Sequence, residues 1–158
     1  VSITMLINTI YKNNWRLNMR KSKTTKNFNN YKMTPEVYKL KRKVINILYE
    51  LKDKGFNIPR IDVRIGQHKD CQVLGVARLN NNIIWITENA IDKKENEFYH
   101  TVLHELLHTI YGCEHDNKCH IMTPYQPKVV FSKNKLLKIF KNYYNKYNNV
   151  TTKQLEVA

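Results

Sequence analysis

The sequence lacks the features that mark several protein classes. Its three cysteines are an odd number and too few for a disulfide framework. No apolar run approaches the ~20 residues of a membrane-spanning helix. Residues 1–10 lack the basic start and small-residue cleavage site of a signal peptide. These absences slightly favour an intracellular protein and leave the compartment open. A length of 158 residues suits a single domain with a hydrophobic core.

Acidic residues are also scarce, with 13 Asp and Glu against 27 Lys and Arg and a formal net charge of +14. The excess lies in the two flanks, whereas the middle of the chain is mildly acidic. Basic flanks predict an anionic partner such as nucleic acid. The alternative is a compositional bias toward Lys, Asn, Ile and Tyr, in which case the charges are simply solvated.

The apolar pattern divides the chain into three parts. Residues 1–33 are basic and show no sustained period, so we predict a flexible arm. The range 34–148 carries helix and strand patterns and is the predicted domain, while 149–158 is expected to fray.

Within that domain the pattern predicts an α+β fold, with a small, twisted, mostly antiparallel sheet packed on helices. The first helix begins with Thr34 as N-cap and ends at Gly55. Asn80 to Asn82 predict the turn of a hairpin, because asparagine tolerates positive φ. The strands are predicted at 60–66, 73–79 and 83–87, and the later helices at 97–111 and after Ser132.

A His-Glu-x-x-His pattern lies on the second of these helices. His104 and His108 are four residues apart, so both imidazoles lie on one face and can bind one Zn²⁺. Glu105 lies between them, where it could accept a proton from a zinc-bound water. His100, one turn earlier, is expected to support this site or to lie at the surface rather than to bind the metal. Gly112 is the predicted end of the helix.

The third ligand should be close by, because no Asp or Glu occurs between Asn117 and Leu155. A tight turn at Gly112 would bring His115 back toward the metal, which makes it the preferred candidate. Cys113 and Cys119 could instead form a small disulfide, although free thiols fit a reducing compartment. The candidates for the third ligand are Cys113, Glu114, His115, Asp116, Cys119 and His120.

Together with Ile121-Met122-x-Pro124, these motifs resemble the metzincin zinc peptidases, in particular their matrixin-like and archaemetzincin-like domains. The resemblance implies that His104, His108 and His115 bind Zn²⁺. It further implies that Met122 forms an apolar floor beneath the metal. One residue more than in that family separates His108 from the glycine, and in strict register Glu114 would be the third ligand.

The resemblance implies a monomeric zinc-dependent endopeptidase that hydrolyses protein or peptide substrates with a zinc-bound water activated by Glu105. The hairpin at 73–87 would offer its edge to an extended substrate. The string HELLHT…GC also resembles SprT-like zinc peptidases, which act on DNA-associated proteins. A third possibility is a non-catalytic, zinc-stabilised module that binds nucleic acid. Glu105 favours an enzyme over that module, because structural zinc needs no base.

Overall fold

In a computed structural model of the chain, residues 34–157 are described, with their side chains as far as residue 148. They belong to one unit of the chain, Met33–Ala158. The predicted arm at 1–33 lies outside the described residues. The elements in order are α1 (Pro35–Asp53), β1 (Asp62–Gly66), β2 (Gly75–Ala77), β3 (Ile83–Thr87), a 3₁₀ turn (Glu88–Ala90), α2 (Glu95–Tyr111) and α3 (Lys133–Val157).

Helix α1 forms as its sequence predicts. The hydroxyl of Thr34 accepts a hydrogen bond from the backbone N–H of Val37 at 3.3 Å, and Pro35 occupies the first turn. Gly55, with a φ of +90°, follows the helix. One stripe of side chains is buried and packs toward β1. Its members are Val37, Leu40, Val44, Ile47, Leu48 and Leu51.

The sheet is small and mixed rather than mostly antiparallel, so that part of the prediction is wrong. Its strand order is β1-β3-β2, with β3 antiparallel to β2 and parallel to β1. The long connection at 67–74 carries the chain from one edge of the sheet to the other, which leaves the centre for β3. The hairpin between β2 and β3 is confirmed, and Asn80 and Asn82 adopt the expected positive φ.

The strand register places the apolar side chains on one face of the sheet. Val63 pairs with Ile84, and Ile65 pairs with Ile86; all four side chains are buried. The alternate positions point to the other face, where the Arg64 guanidinium lies 5.2 Å from the centre of the Trp85 ring. The buried face supports the helices that carry the site.

Helix α2 lies at the centre of the domain, between the sheet and α3. This position explains why most of its side chains are buried, including polar ones. The helix ends at Gly112, whose φ of +63° is the left-handed conformation predicted from the sequence. The Gly112 N–H donates to the carbonyl of His108 at 3.1 Å.

Helix α3 begins directly after Ser132 and packs its buried Leu136 and Phe140 into the core. Lys133 fixes its first turn to α1 through an ion pair with Glu50 at 2.8 Å. The helix continues to Val157, and the fraying of 149–158 stays a prediction. The sequence contains no glycine or proline after Pro127, so nothing in it ends the helix earlier. Among residues 34–157, no helix is long and apolar enough to cross a membrane.

Replacement of Gly112 by alanine is expected to destabilise the fold more than the same replacement at Gly55, the other glycine with positive φ. A β-carbon at Gly112 would lie 2.6 Å from the side-chain amide nitrogen of Asn80, whereas one at Gly55 would meet nothing within 4 Å. Gly55→Ala should therefore cost about 1 kcal/mol from backbone strain alone, and Gly112→Ala clearly more.

Urea unfolding of both variants measures this difference, and Gly55→Ala serves as the matched control. When Asn80 is also replaced by glycine, the loss in unfolding free energy caused by Gly112→Ala should fall to that caused by Gly55→Ala. Equal costs for the two single variants would show that Asn80 imposes no constraint on the end of α2.

Candidate metal centre

Three imidazoles from two segments converge at the C-terminal half of α2. His104 and His108 lie one turn apart on the helix, and His115 comes from the loop that follows Gly112. The Nε2 atoms of His104 and His108 are 3.0 Å apart. The Nε2 atom of His115 lies 3.2 Å from that of His104 and 3.1 Å from that of His108. Three nitrogen donors thus form a triangle that could hold one metal ion.

Backbone carbonyls determine which nitrogen of each helical histidine carries the proton. Nδ1 of His104 faces the carbonyl oxygen of Ile121, and Nδ1 of His108 faces that of Cys113. A carbonyl oxygen only accepts hydrogen bonds, so each Nδ1 must be the protonated nitrogen of a neutral ring. Each Nε2 therefore presents a lone pair to the centre of the triangle.

These lone pairs face one another without a proton to share. The contact of 3.0 Å between the Nε2 atoms of His104 and His108 is therefore not a hydrogen bond when both rings are neutral. Such an arrangement is electrostatically unfavourable unless a cation binds the nitrogens. The donor set thus fits a metal ion that prefers imidazole.

Loss of hydration keeps the three imidazoles neutral. It lowers the pKa of His104 to about 3, with a further contribution from the neighbouring His108. It also lowers the pKa of His108 to about 4, and that of His115 in the same direction. At neutral pH all three rings therefore have free lone pairs, which metal binding requires.

Glu105 is buried against the edge strand β2. A β-carbon added at Gly75 would lie 2.8 Å from Cγ of Glu105 and 2.9 Å from Oε1, so only glycine leaves room for this carboxylate. Burial raises the pKa of Glu105 to about 8, because the charged form loses hydration. A buried carboxyl group of this kind has an increased affinity for a proton.

The structure brings His115, and not Glu114, into the cluster. Glu114 is exposed and lies outside the group of metal-ligating side chains. The left-handed turn at Gly112 redirects the chain, and the Cys113 N–H then donates to the carbonyl of Leu107 at 3.2 Å. The glycine thus determines which side chain of the loop returns to the helix.

Met122 is fully buried, like Ile121 before it. The carbonyl oxygen of Met122 accepts a hydrogen bond from the N–H of Asp116 at 2.8 Å. Since Asp116 follows His115, this bond connects the methionine segment to the loop that carries the third imidazole.

The remaining candidates for the third ligand lie outside the cluster. Cys113 is buried and Cys119 half-buried, and both are free thiols. The ring of His120 stacks on Phe131 with centroids 3.5 Å apart, and its Nε2 accepts a hydrogen bond from the Phe131 N–H. Asp116 is exposed, and its carboxylate accepts from the Lys118 N–H.

Sequence reasoning missed the backbone partners of the site. The carbonyls of Ile121 and Cys113 orient two imidazoles of the cluster, yet a carbonyl is present in every residue and gives no sequence signal. Gly75 did give one, because a glycine within a strand marks a close approach of another group. The sequence pattern alone did not connect Gly75 with Glu105.

The chain matches no protein-family model, no curated protein and no solved structure at a significant level. What the site can do must therefore follow from its own residues. These are three neutral imidazoles that could hold a metal ion, and one buried carboxyl group on the helix that carries two of them.

Proposed function

We propose that this protein is a zinc-dependent endopeptidase of metzincin type. His104, His108 and His115 would hold Zn²⁺, since tetrahedral bonds of ~2.0–2.1 Å imply nitrogens roughly 3.3 Å apart. The separations of 3.0–3.2 Å are close to that value. Three protein ligands leave a fourth position for solvent or substrate, which is typical of catalytic rather than structural zinc sites.

Each group of the site has a separate role in the proposed hydrolysis. When bound, Zn²⁺ supplies a Lewis acid that polarises a carbonyl and acidifies water. In its ionised form, which a cation bound nearby would favour, Glu105 takes a proton from the attacking water and delivers it to the leaving amine. The carbonyls of Ile121 and Cys113 keep His104 and His108 in the tautomer that leaves Nε2 free.

The observation that carries this proposal is the burial of Glu105 on the helix that bears two of the imidazoles. Its side chain is only 6% exposed, and none of the described ion pairs includes it. Burying an unpaired carboxylate is costly, and a purely structural metal site gains nothing from it. A general base gains a raised proton affinity from the same burial.

Strand β2 is the proposed docking edge for the substrate. It pairs with β3 on one side, and no other strand among residues 34–157 pairs with its second side. Gly75 in this strand contacts Glu105, so an extended peptide added to the free edge would run close to the base. Backbone pairing of this kind requires a flexible polypeptide and favours cleavage within a chain.

The test is hydrolysis of casein by the full zinc-loaded chain, with new N-termini identified by mass spectrometry. Cleavage should stop with a chelator and return with added zinc. Cleavage that continues in the chelator would contradict the proposal, as would intact casein with zinc-loaded protein. A parallel arm contains single-stranded DNA, and cleavage only in that arm would favour the SprT-like alternative.

Gly75→Ala should reduce hydrolysis while zinc remains bound. The added methyl group would overlap Cγ of Glu105 and displace the carboxylate, whereas the imidazoles are untouched. A displacement of about 1 Å can cost roughly 100-fold in rate. The measurement is kcat/KM on a quenched peptide together with the zinc content of the same sample.

Gly55→Ala is the matched control, because it adds the same methyl group at a glycine outside the site, where a β-carbon would meet nothing within 4 Å. It should retain activity within a few-fold. Equal activity of Gly75→Ala and the parent would show that β2 does not constrain Glu105.

A further inference from the structure

The segment 120–122 is held by three consecutive backbone carbonyls, each with a different partner. The carbonyl of His120 lies 3.0 Å from Nε2 of His100. The carbonyl of Ile121 faces Nδ1 of His104, and that of Met122 accepts from the N–H of Asp116. One short piece of backbone therefore connects helix α2 with the loop that carries His115.

Two of the three partners are imidazoles one turn apart on α2. His100 and His104 have their ring centres 6.3 Å apart and contact successive carbonyls of the segment. His100 is only 3% exposed, and it lies outside the three-imidazole cluster. Because its Nε2 faces a carbonyl oxygen, this nitrogen must carry the proton.

We propose that His100 is a positioning residue for the metal centre. Its Nε2–H fixes the carbonyl of His120 and thereby places the next carbonyl, that of Ile121, where it orients His104. The same anchor holds Met122, whose carbonyl binds the loop next to His115. His100 thus acts on two ligands at opposite sides of the centre without binding the metal.

The other contacts of the segment do not replace this anchor. The side chain of His120 stacks on Phe131, in the loop before α3, and its only described ring contact with α2 is an edge-on one to His100 itself, with ring centres 5.5 Å apart. The Thr123 hydroxyl also donates to the carbonyl of His120, at 3.3 Å, but it belongs to the same loop. Among the described hydrogen bonds, only those of His100 and His104 connect the segment 120–122 to helix α2. Since His104 is itself a proposed ligand, His100 is the one anchor that does not bind the metal.

This inference rests on the zinc site of the proposed function, and its test therefore measures zinc affinity and not hydrolysis. His100→Phe keeps an aromatic ring but removes the donor, whereas His100→Gln keeps an N–H at about the same reach. We expect His100→Phe to weaken zinc binding about 10–100-fold in competition with a chromophoric chelator, as losses of outer-shell partners do. His100→Gln should recover most of that loss.

Thr101→Val is the matched control for a merely structural effect. Thr101 neighbours His100 on α2, is equally buried, and donates to the carbonyl of Glu97 at 3.0 Å, away from the segment. This variant should lower Tm but leave zinc affinity within about twofold, since the hydrogen bond that it loses stabilises the helix and does not reach the segment 120–122. A zinc affinity of His100→Phe equal to that of the parent would overturn the inference, as would an equal loss in Thr101→Val.

Nitrogen NMR of the zinc-free parent protein gives a second measurement that needs no variant. It should find the proton of His100 on Nε2 and that of His104 on Nδ1; the opposite tautomer of His100 would overturn the inference. Protein that binds zinc with the expected His100 dependence but cleaves nothing would refute the proposed function alone. Protein that cleaves through zinc without any His100 dependence would refute this inference alone.

Discussion

Glu105→Gln is expected to abolish peptide hydrolysis while leaving the fold and the bound zinc in place. Glutamine has nearly the same shape as glutamate, so it fits the space beside Gly75. Its amide cannot take a proton from water, and general acid–base catalysis typically contributes about 10²–10⁴-fold. The loss should appear in kcat, measured at saturating peptide on samples with equal zinc content.

Glu114→Gln is the matched control, because it makes the same chemical change nine residues later on an exposed side chain. It should cleave at the rate of the parent protein. If Glu105→Gln also cleaved at that rate, Glu105 could not be the base. Loss of zinc from Glu105→Gln would instead show that this carboxylate belongs to the metal site.

His115→Ala is expected to weaken zinc binding by orders of magnitude and to abolish activity. It removes one of three nitrogens that lie within 3.2 Å of one another. Loss of a direct ligand should exceed the about 10–100-fold effect of changing an outer-shell partner. Equilibrium dialysis against a zinc buffer measures the affinity directly.

Two variants of the neighbouring candidates serve as controls. Glu114→Ala and Cys119→Ala should both bind zinc like the parent, since neither side chain belongs to the cluster. If Glu114→Ala lost zinc and His115→Ala kept it, the register counted from His108 would be correct. The assignment of His104 and His108 as two of the zinc ligands would remain valid in that case.

The sequence alone predicted those features in which a residue acts on its immediate neighbours in the chain. Thr34 caps α1 through the N–H of Val37, three residues away, and Gly112 ends α2 through its own φ. Asn80 and Asn82 turn the hairpin in the same way. In each case the physical cause lies within one turn of the chain, so the pattern alone predicted it.

The direction of β1 could not be predicted in this way. An alternating strand such as Asp62–Gly66 has the same pattern whether its neighbour is parallel or antiparallel. The choice depends on the path of 67–74 across the sheet.

The same distinction between local and long-range causes applies to the candidate site. The spacing of His104 and His108 follows from helix geometry and was evident from the sequence. The carbonyl of Ile121 that orients His104 lies 17 residues away and depends on tertiary packing. The contact between Gly75 and Glu105 joins a strand to a helix, so it too required the folded structure.

X-ray absorption at the zinc edge of the metal-loaded protein tests the central claim most directly. We predict three imidazole nitrogens and one solvent oxygen at about 2.0–2.1 Å, with no sulfur in the coordination shell. A zinc–sulfur distance of about 2.3 Å would instead place Cys113 or Cys119 on the metal. That result, or a fourth ligand supplied by the protein, would contradict a catalytic centre built from His104, His108 and His115.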